Sequence, residues 1–295
     1  MSKLVIAGGT GFLGNELLDF YASKFTAIVV LTRSKPYQTK NINYVQWDAK
    51  TIGPWHTCLN NADVLINLTG KSVDCRFTKK NKELILNSRI DSTLALGKAI
   101  NLIDTPPKVW LNASSAAISH PNKEENGEDF MLDVGLAWEK AFGSIKNYNT
   151  RKVALRISLV FGKNGGALVP LKKIAQFGLG GKQGNGNQMV SWVHIKDFVS
   201  ITNFAIENSK IIGPIVVAAP DAKSNKKLMA SIRKTLKVPF GLPAFAWMLK
   251  IGGFIIGTEP SLILNSMNVY PEKLLKNGFK FKYATLEAAL KNLIK

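Results

Sequence analysis

Short apolar runs alternate with longer amphipathic stretches through the first half of the chain. Lys3 leads the run at residues 4–7, which reads as a strand. Phe12, Leu13, Leu17, Leu18 and Tyr21 then recur at helical spacing. Residues 27–32 are β-branched and apolar and predict a second strand; residues 43–47, 63–67 and 108–112 predict a third, fourth and fifth. A long helical pattern over 79–103 separates the last two, and a helix over 132–145 leads to a strand over 152–157. This alternation predicts an α/β fold: a Rossmann doubly wound parallel sheet with helices on both faces.

The texture changes after residue 160. Residues 162–166 and 178–187 are glycine-rich, 192–197 precede a helix to about 208, 213–219 resemble another strand, and the tail holds two or three helices and an extended stretch over 279–283. The expected organisation is a dinucleotide-binding core over 1–160, completed by 190–219, and a smaller substrate-side lobe over 161–295. The longest apolar stretch, 240–257, is broken by Pro243 and Lys250 and reads as a buried helix pair, with a membrane-surface role as the alternative, rather than a membrane span.

Ligands of such sheets bind at the carboxyl ends of the strands. Gly8, Gly11 and Gly14 stand directly after the first strand. The first lets the backbone turn, the second lets it approach a diphosphate, and the third lets helix and strand pack closely. The helix start, with Thr10, Phe12 and Leu13, points free amides at the phosphates. A dinucleotide site for NAD ends its second strand on Asp or Glu, which grips the ribose hydroxyls. Here that strand ends on Arg33, followed by Ser34 and Lys35. A guanidinium suits a 2′-phosphate, so the expected cofactor is NADP(H). Asp48, after the third strand, is placed to accept from the adenine amino group, with Asn67, Leu68, Thr69 and Gly70 under adenine and ribose and Ser114 beside them.

The 295 residues carry a net charge of +19. Such an excess attracts anions, nucleic acid among them. The basic residues fall in twos and threes and read as solvated helix faces, and no nucleic-acid motif is present, so the expected partner is an anionic small molecule. Two cysteines form no CxxC or disulfide framework, and three scattered histidines make no metal site. No signal peptide is evident, which points to the cytoplasm; a homodimer stays open.

The motifs resemble the extended short-chain dehydrogenase/reductase superfamily, in particular its atypical group of sugar-nucleotide epimerase-like proteins. The resemblance spans nearly the whole chain. It rests on the glycine loop at 8–14, Asn67-Leu68-Thr69-Gly70, Arg76-Phe77-Thr78, Ser88-Arg89, Trp138-Glu139, Leu155-Arg156-Ile157, and the runs at 178–188 and 192–197. It implies an NADP-binding core, a C-terminal lobe closing over a cleft, and a nucleotide-sugar or similar substrate. Fold alone does not assign function.

That superfamily does hydride chemistry with Ser, Tyr and a Lys four residues after the Tyr. The resemblance puts Ser115 at the serine position, as the catalytic residue that polarises the substrate oxygen. Where Tyr and Lys belong, the chain has Met131 and Gly135. Tyr148 and Lys152 have the right spacing but straddle a turn and a strand start. His120, Asp133 and Lys71 are substitute acids or bases, or else surface and structural residues; Arg76 and Arg89 are candidate holders of an anionic substrate, or an ion-paired helix face; and His194 is a further substrate contact beside Asp197, or with it a tie between the second lobe and the core. Three functions follow: an NADP(H)-dependent oxidoreductase or epimerase-like enzyme; a non-catalytic NADP(H)-binding sensor or scaffold; and, from the charge, a basic RNA-associated Rossmann protein.

Overall fold

The computed structural model describes residues 2–120, 129–147 and 149–294. In chain order the elements are β1 (Lys3–Ala7), α1 (Phe12–Tyr21), β2 (Ala27–Thr32), β3 (Tyr37–Thr39), β4 (Ile42–Gln46), β5 (Val64–Asn67), α2 (Lys79–Ile100), β6 (Val109–Ser115), α3 (Phe130–Ser144), β7 (Arg151–Ile157), β8 (Leu159–Phe161), α4 (Leu168–Gln176), β9 (Met189–Val190), β10 (Trp192–His194), α5 (Ile195–Glu207), β11 (Gly213–Val217), β12 (Lys223–Ser224), α6 (Asn225–Leu236), α7 (Ala246–Ile256), α8 (Ser261–Leu264), α9 (Glu272–Lys276) and α10 (Leu286–Ile294).

Eight strands form the main sheet in the order β11-β7-β6-β5-β1-β2-β4-β3. All pair in parallel except β3, which folds back on β4 with Tyr37 stacked on Tyr44. The chain runs outward from β1 through β2 to β4, then crosses to β5 on the other side of β1. That reversal opens a crevice at the carboxyl end of β1.

Period-two burial sorts the strand residues between two cores. Leu4 and Ile6 face a core shared with α1, α5 and the C-terminal helices, while Val5 and Ala7 face α2 and α3. Both faces of the central strands are covered, so their residues read as unbroken apolar runs.

One strand was not foreseen and one expectation is corrected. The unforeseen strand is β3: its residues are exposed and give no alternation. Residues 279–283 lie outside any helix or strand and are anchored by side chains, with Tyr283 stacked on His194 at 3.8 Å. Residues 240–257 are not a buried helix pair. They form a loop and one helix, α7, and leave Phe240, Trp247, Ile251 and Phe254 exposed. Among the described residues no helix is long and apolar enough to cross a membrane.

Candidate functional site

The crevice between β1 and β5 is lined by the loop that enters α1. Gly8 has φ +79°, a left-handed conformation costly for other residues, and a Cβ there would sit 2.9 Å from the Leu68 carbonyl carbon. A Cβ on Gly14 would overlap the Gly9 carbonyl, so α1 starts pressed against its own loop. At Gly11 the surroundings are open, with nothing nearer to a Cβ than 3.7 Å.

Helix α1 begins bare. No side chain caps it and its first turn holds no acid. α2 and α3 are capped, by Thr78 on Asn81 N–H at 3.3 Å and by Asp129 on Met131 N–H at 3.0 Å. Thr10 and Gly11 are exposed, and Phe12 and Leu13 half-buried. The unpaired amides and the helix dipole present a positive end to the crevice.

Asn67 ends β5 and pins the opposite wall. Its Nδ2 donates to Asn112 Oδ1 at 2.8 Å and Thr93 Oγ1 at 3.3 Å, and its Oδ1 accepts from Thr69 N–H at 3.0 Å. Trp138 Nε1 donates to the same Thr93 hydroxyl at 2.9 Å. The Thr69 hydroxyl is buried and has no partner among the described residues. A buried orphan at this position fits a group that accepts or donates there on binding.

Arg33 is exposed at the end of β2, and among the described residues no carboxylate pairs with it. Asp48 is occupied by its own turn. It accepts from Lys50 N–H at 2.9 Å, Thr51 N–H at 2.8 Å and the Thr51 hydroxyl at 2.5 Å, and these bonds hold its carboxyl below the usual range.

Ser115 closes β6, half-buried, with its Oγ accepting from Ala117 N–H at 3.3 Å. Gly135 on α3 lies directly opposite: a Cβ there would be 3.0 Å from Ser115 Cβ and 2.9 Å from Ile118. The position has no room for a long side chain. Met131 is half-buried and Asp133 exposed. Lys152 is spent on the carbonyls of Phe142 at 2.5 Å and Ile145 at 2.7 Å, and Tyr148 lies outside the described residues.

Beneath the serines is a network that sequence reasoning missed. Ser114 donates to Glu139 Oε1 at 2.7 Å. Arg156 grips Glu139 through Nε at 2.8 Å and a second nitrogen at 2.7 Å, and reaches the Ser119 hydroxyl at 3.0 Å. An acid on the sheet-facing side of α3 and an arginine inside β7 were the available signal.

Of the two candidate anion holders, Arg89 is turned inward. It donates to the carbonyls of Lys71 at 3.1 Å and Ile85 at 2.9 Å and lies over Trp138, and burial pulls it down to about 10. It therefore braces the 68–71 loop. Arg76 is exposed and stacks 4.3 Å over Phe254, at the mouth of a cavity of about 330 Å³ that Glu259 and Asn265 also line. Glu259 accepts from Phe77 N–H at 3.0 Å, tying this C-terminal wall to the loop after β5.

His194 is corrected as a substrate contact. It is fully buried, its Nδ1 accepts from Lys196 N–H at 3.0 Å, and its Nε2 meets Asn292 Oδ1 at 3.1 Å. Burial pushes it down to about 4, so the ring is neutral. Asp197 accepts from Lys282 N–H at 2.8 Å and Tyr283 N–H at 2.9 Å. The pair fastens the C-terminal segment to α5. His120 is buried and accepts from Asn268 N–H at 3.4 Å.

Comparison with known proteins agrees with the fold. Residues 4–218 match the model of the NAD dependent epimerase/dehydratase family, and residues 244–293 match a domain of unknown function, DUF1731. The chain is 32% identical over 303 residues to an epimerase family protein of Staphylococcus haemolyticus, covering 100% of this chain and 99% of the relative. It is 32% identical over 304 residues to one of Staphylococcus aureus, covering 100% of both. Among solved structures, human epimerase family protein SDR39U1 (isoform 2), solved with NADPH, superposes with a TM-score of 0.85 at 25% identity, covering 99% of this chain and 98% of that one. A nucleoside-diphosphate sugar epimerase of Corynebacterium glutamicum superposes with a TM-score of 0.76 at 26% identity, over 99% of this chain and 58% of that one.

Proposed function

The chain belongs to the NAD-dependent epimerase/dehydratase family, and from that premise we propose that it binds NADP(H) in the β1–β5 crevice and acts on a nucleotide-sugar or other anionic small molecule. The single observation carrying this reading is the bare start of α1, open above Gly11, with the backbone of Leu68 and Thr69 packed against Gly8 and the Thr69 hydroxyl left without a partner among the described residues. Gly8, Gly11 and Gly14, with the amides of Thr10, Phe12 and Leu13, hold the diphosphate in this reading. Arg33 takes the 2′-phosphate; a charge-assisted pair of that kind contributes roughly 1.5–3 kcal/mol. Leu68, Thr69 and Gly70 form the wall under adenine and ribose. Asn67 shapes that wall, and Asp48, with three acceptor sites used by its own turn, keeps a lone pair on Oδ2 for the adenine amino group. The NADPH of the human relative supports the cofactor choice.

When bound, the nicotinamide supplies hydride chemistry. In this chain Ser115 is the group at the β6 terminus able to hydrogen-bond a substrate oxygen, and Ser114, held by Glu139 and Arg156, fixes the strand end behind it. Arg76 offers its guanidinium to an anionic substrate at the cavity under Glu259. We further propose the division into a core, 1–160 with 190–219, and a substrate-side lobe within 161–295.

One observation favours a second reading, a non-catalytic NADP(H)-binding sensor or scaffold. Gly135 fills the space opposite Ser115 where a Lys would stand. A panel of nucleotide-sugars and carbonyl compounds, followed with NADPH at the reduced-nicotinamide absorbance band, separates the two. Turnover lost in Ser115→Ala supports the enzyme. Tight NADPH binding without turnover of any panel member supports the sensor.

A further inference from the structure

We propose that the face built from residues 177–182 and 240–254 docks on an anionic lipid surface. Backbone hydrogen bonds zip these two segments together: Leu242 N–H to Gly178 O at 2.8 Å, Gly181 N–H to Leu242 O at 3.0 Å and Ala244 N–H to Lys182 O at 2.9 Å. A Cβ on Gly178, which lies between Phe177 and Leu179 in the chain, would be 3.2 Å from the Phe240 ring. The chain then runs directly into α7, where Trp247, Ile251 and Phe254 recur at helical spacing. All six side chains are exposed. Contiguous exposure of large apolar groups marks an interaction surface.

Charge selects the occupant. Residues 161–182 and 221–259 carry eleven Lys and Arg against two acids, Asp221, which pairs with Lys223 at 2.5 Å, and Glu259, so at least nine positive charges stand in excess there. Arg233, Lys234 and Lys237 line a depression of about 390 Å³ at the end of α6. Arg233 also donates to the Gly180 carbonyl, which joins the basic helix to the apolar strip. A second copy of the chain would bring the same positive excess against this rim and be repelled. An anionic bilayer offers headgroup phosphates to the ammonium groups and the acyl boundary to the aromatic rings. Helix α7 has 11 residues, so it lies in the interface and does not span it.

The molecule carries its own reporter. Trp247 is 63% exposed, whereas Trp138, the next most exposed of the six tryptophans, is at 6%. The full chain is mixed at low salt with vesicles of phosphatidylcholine alone or with an equal part of phosphatidylglycerol. The expected result is co-sedimentation with the anionic vesicles, a blue-shifted emission, and quenching by brominated acyl chains. Trp247→Phe should still sediment but lose the shift. The double variant Lys234→Glu/Lys237→Glu should partition at least about 25-fold more weakly, about fivefold for each lost charge, with an unchanged unfolding midpoint. The proposal is overturned if the anionic vesicles leave the protein in the supernatant, or if neutral vesicles bind it equally. It is also overturned by a lipid-free dimer in which Trp247 is already shielded from acrylamide.

Discussion

Gly11→Ala should abolish dinucleotide binding while leaving the fold intact, and the neighbouring glycines show why. At residue 11 the new methyl meets nothing nearer than 3.7 Å, and the backbone (φ −83°, ψ 176°) suits any residue. Replacing glycine at a helix N-cap costs some tenths of a kcal/mol to about 1 kcal/mol. The entropy removed from the unfolded chain returns about 0.4–1 kcal/mol. The two offset each other, so the melting temperature should move by no more than about 2 °C. The methyl projects into the space assigned to the diphosphate. Loss of two charge-assisted hydrogen bonds, at roughly 1.5 kcal/mol or more each, predicts at least about a 100-fold loss of NADPH affinity. Gly14→Ala behaves oppositely: its methyl collides with the Gly9 carbonyl even without ligand. Overpacking of that kind costs about 1–3 kcal/mol and should lower the melting temperature by several degrees. Differential scanning fluorimetry of both variants, paired with quenching of intrinsic fluorescence by NADPH, reads the two effects separately. A Gly11→Ala protein that binds NADPH within threefold of the parent would refute the reasoning.

Arg33→Ala should weaken NADPH binding about 10- to 100-fold and leave NADH unchanged, because only the 2′-phosphate loses a partner; equal losses for both nucleotides in competitive titrations would remove Arg33 from the site. His194 makes stability pH-dependent. Its folded value near 4 lies below the ordinary 6.5, so the unfolded chain takes up the proton first. The contribution is whole above pH 6.5 and fades as pH falls toward 4, by up to about 3 kcal/mol. Asp197, raised by burial, opposes this at the acid end. Melting curves from pH 7 to 5 should slope downward in the parent and flatten in His194→Gln; parallel slopes would contradict the assignment.

The sheet was legible because its strands are buried on both faces and its glycines mark the turns. Residues 27–32 and 213–217 stand where the apolar runs put them. The glycine loop was legible for the same reason, since Gly8 and Gly14 answer to contacts within the chain itself. Side-chain networks were not legible. Nothing in the order of residues says that Ser114, Glu139, Arg156 and Ser119 converge, because the packing of α3 on β6 and its following turn, beside β7, brings them together. His194 beside Asp197 read either as chemistry or as a tie between second lobe and core, because spacing carries no depth; their burial and hydrogen bonds favour the tie. The apolar character of 240–257 was plain, but whether a neighbour covers it is a tertiary fact.

The most direct test is a calorimetric titration of the intact protein with NADPH, NADP⁺ and NADH. The account predicts one saturable site that prefers the 2′-phosphorylated forms. Absence of heat with all three nucleotides at protein concentrations well above micromolar would contradict it.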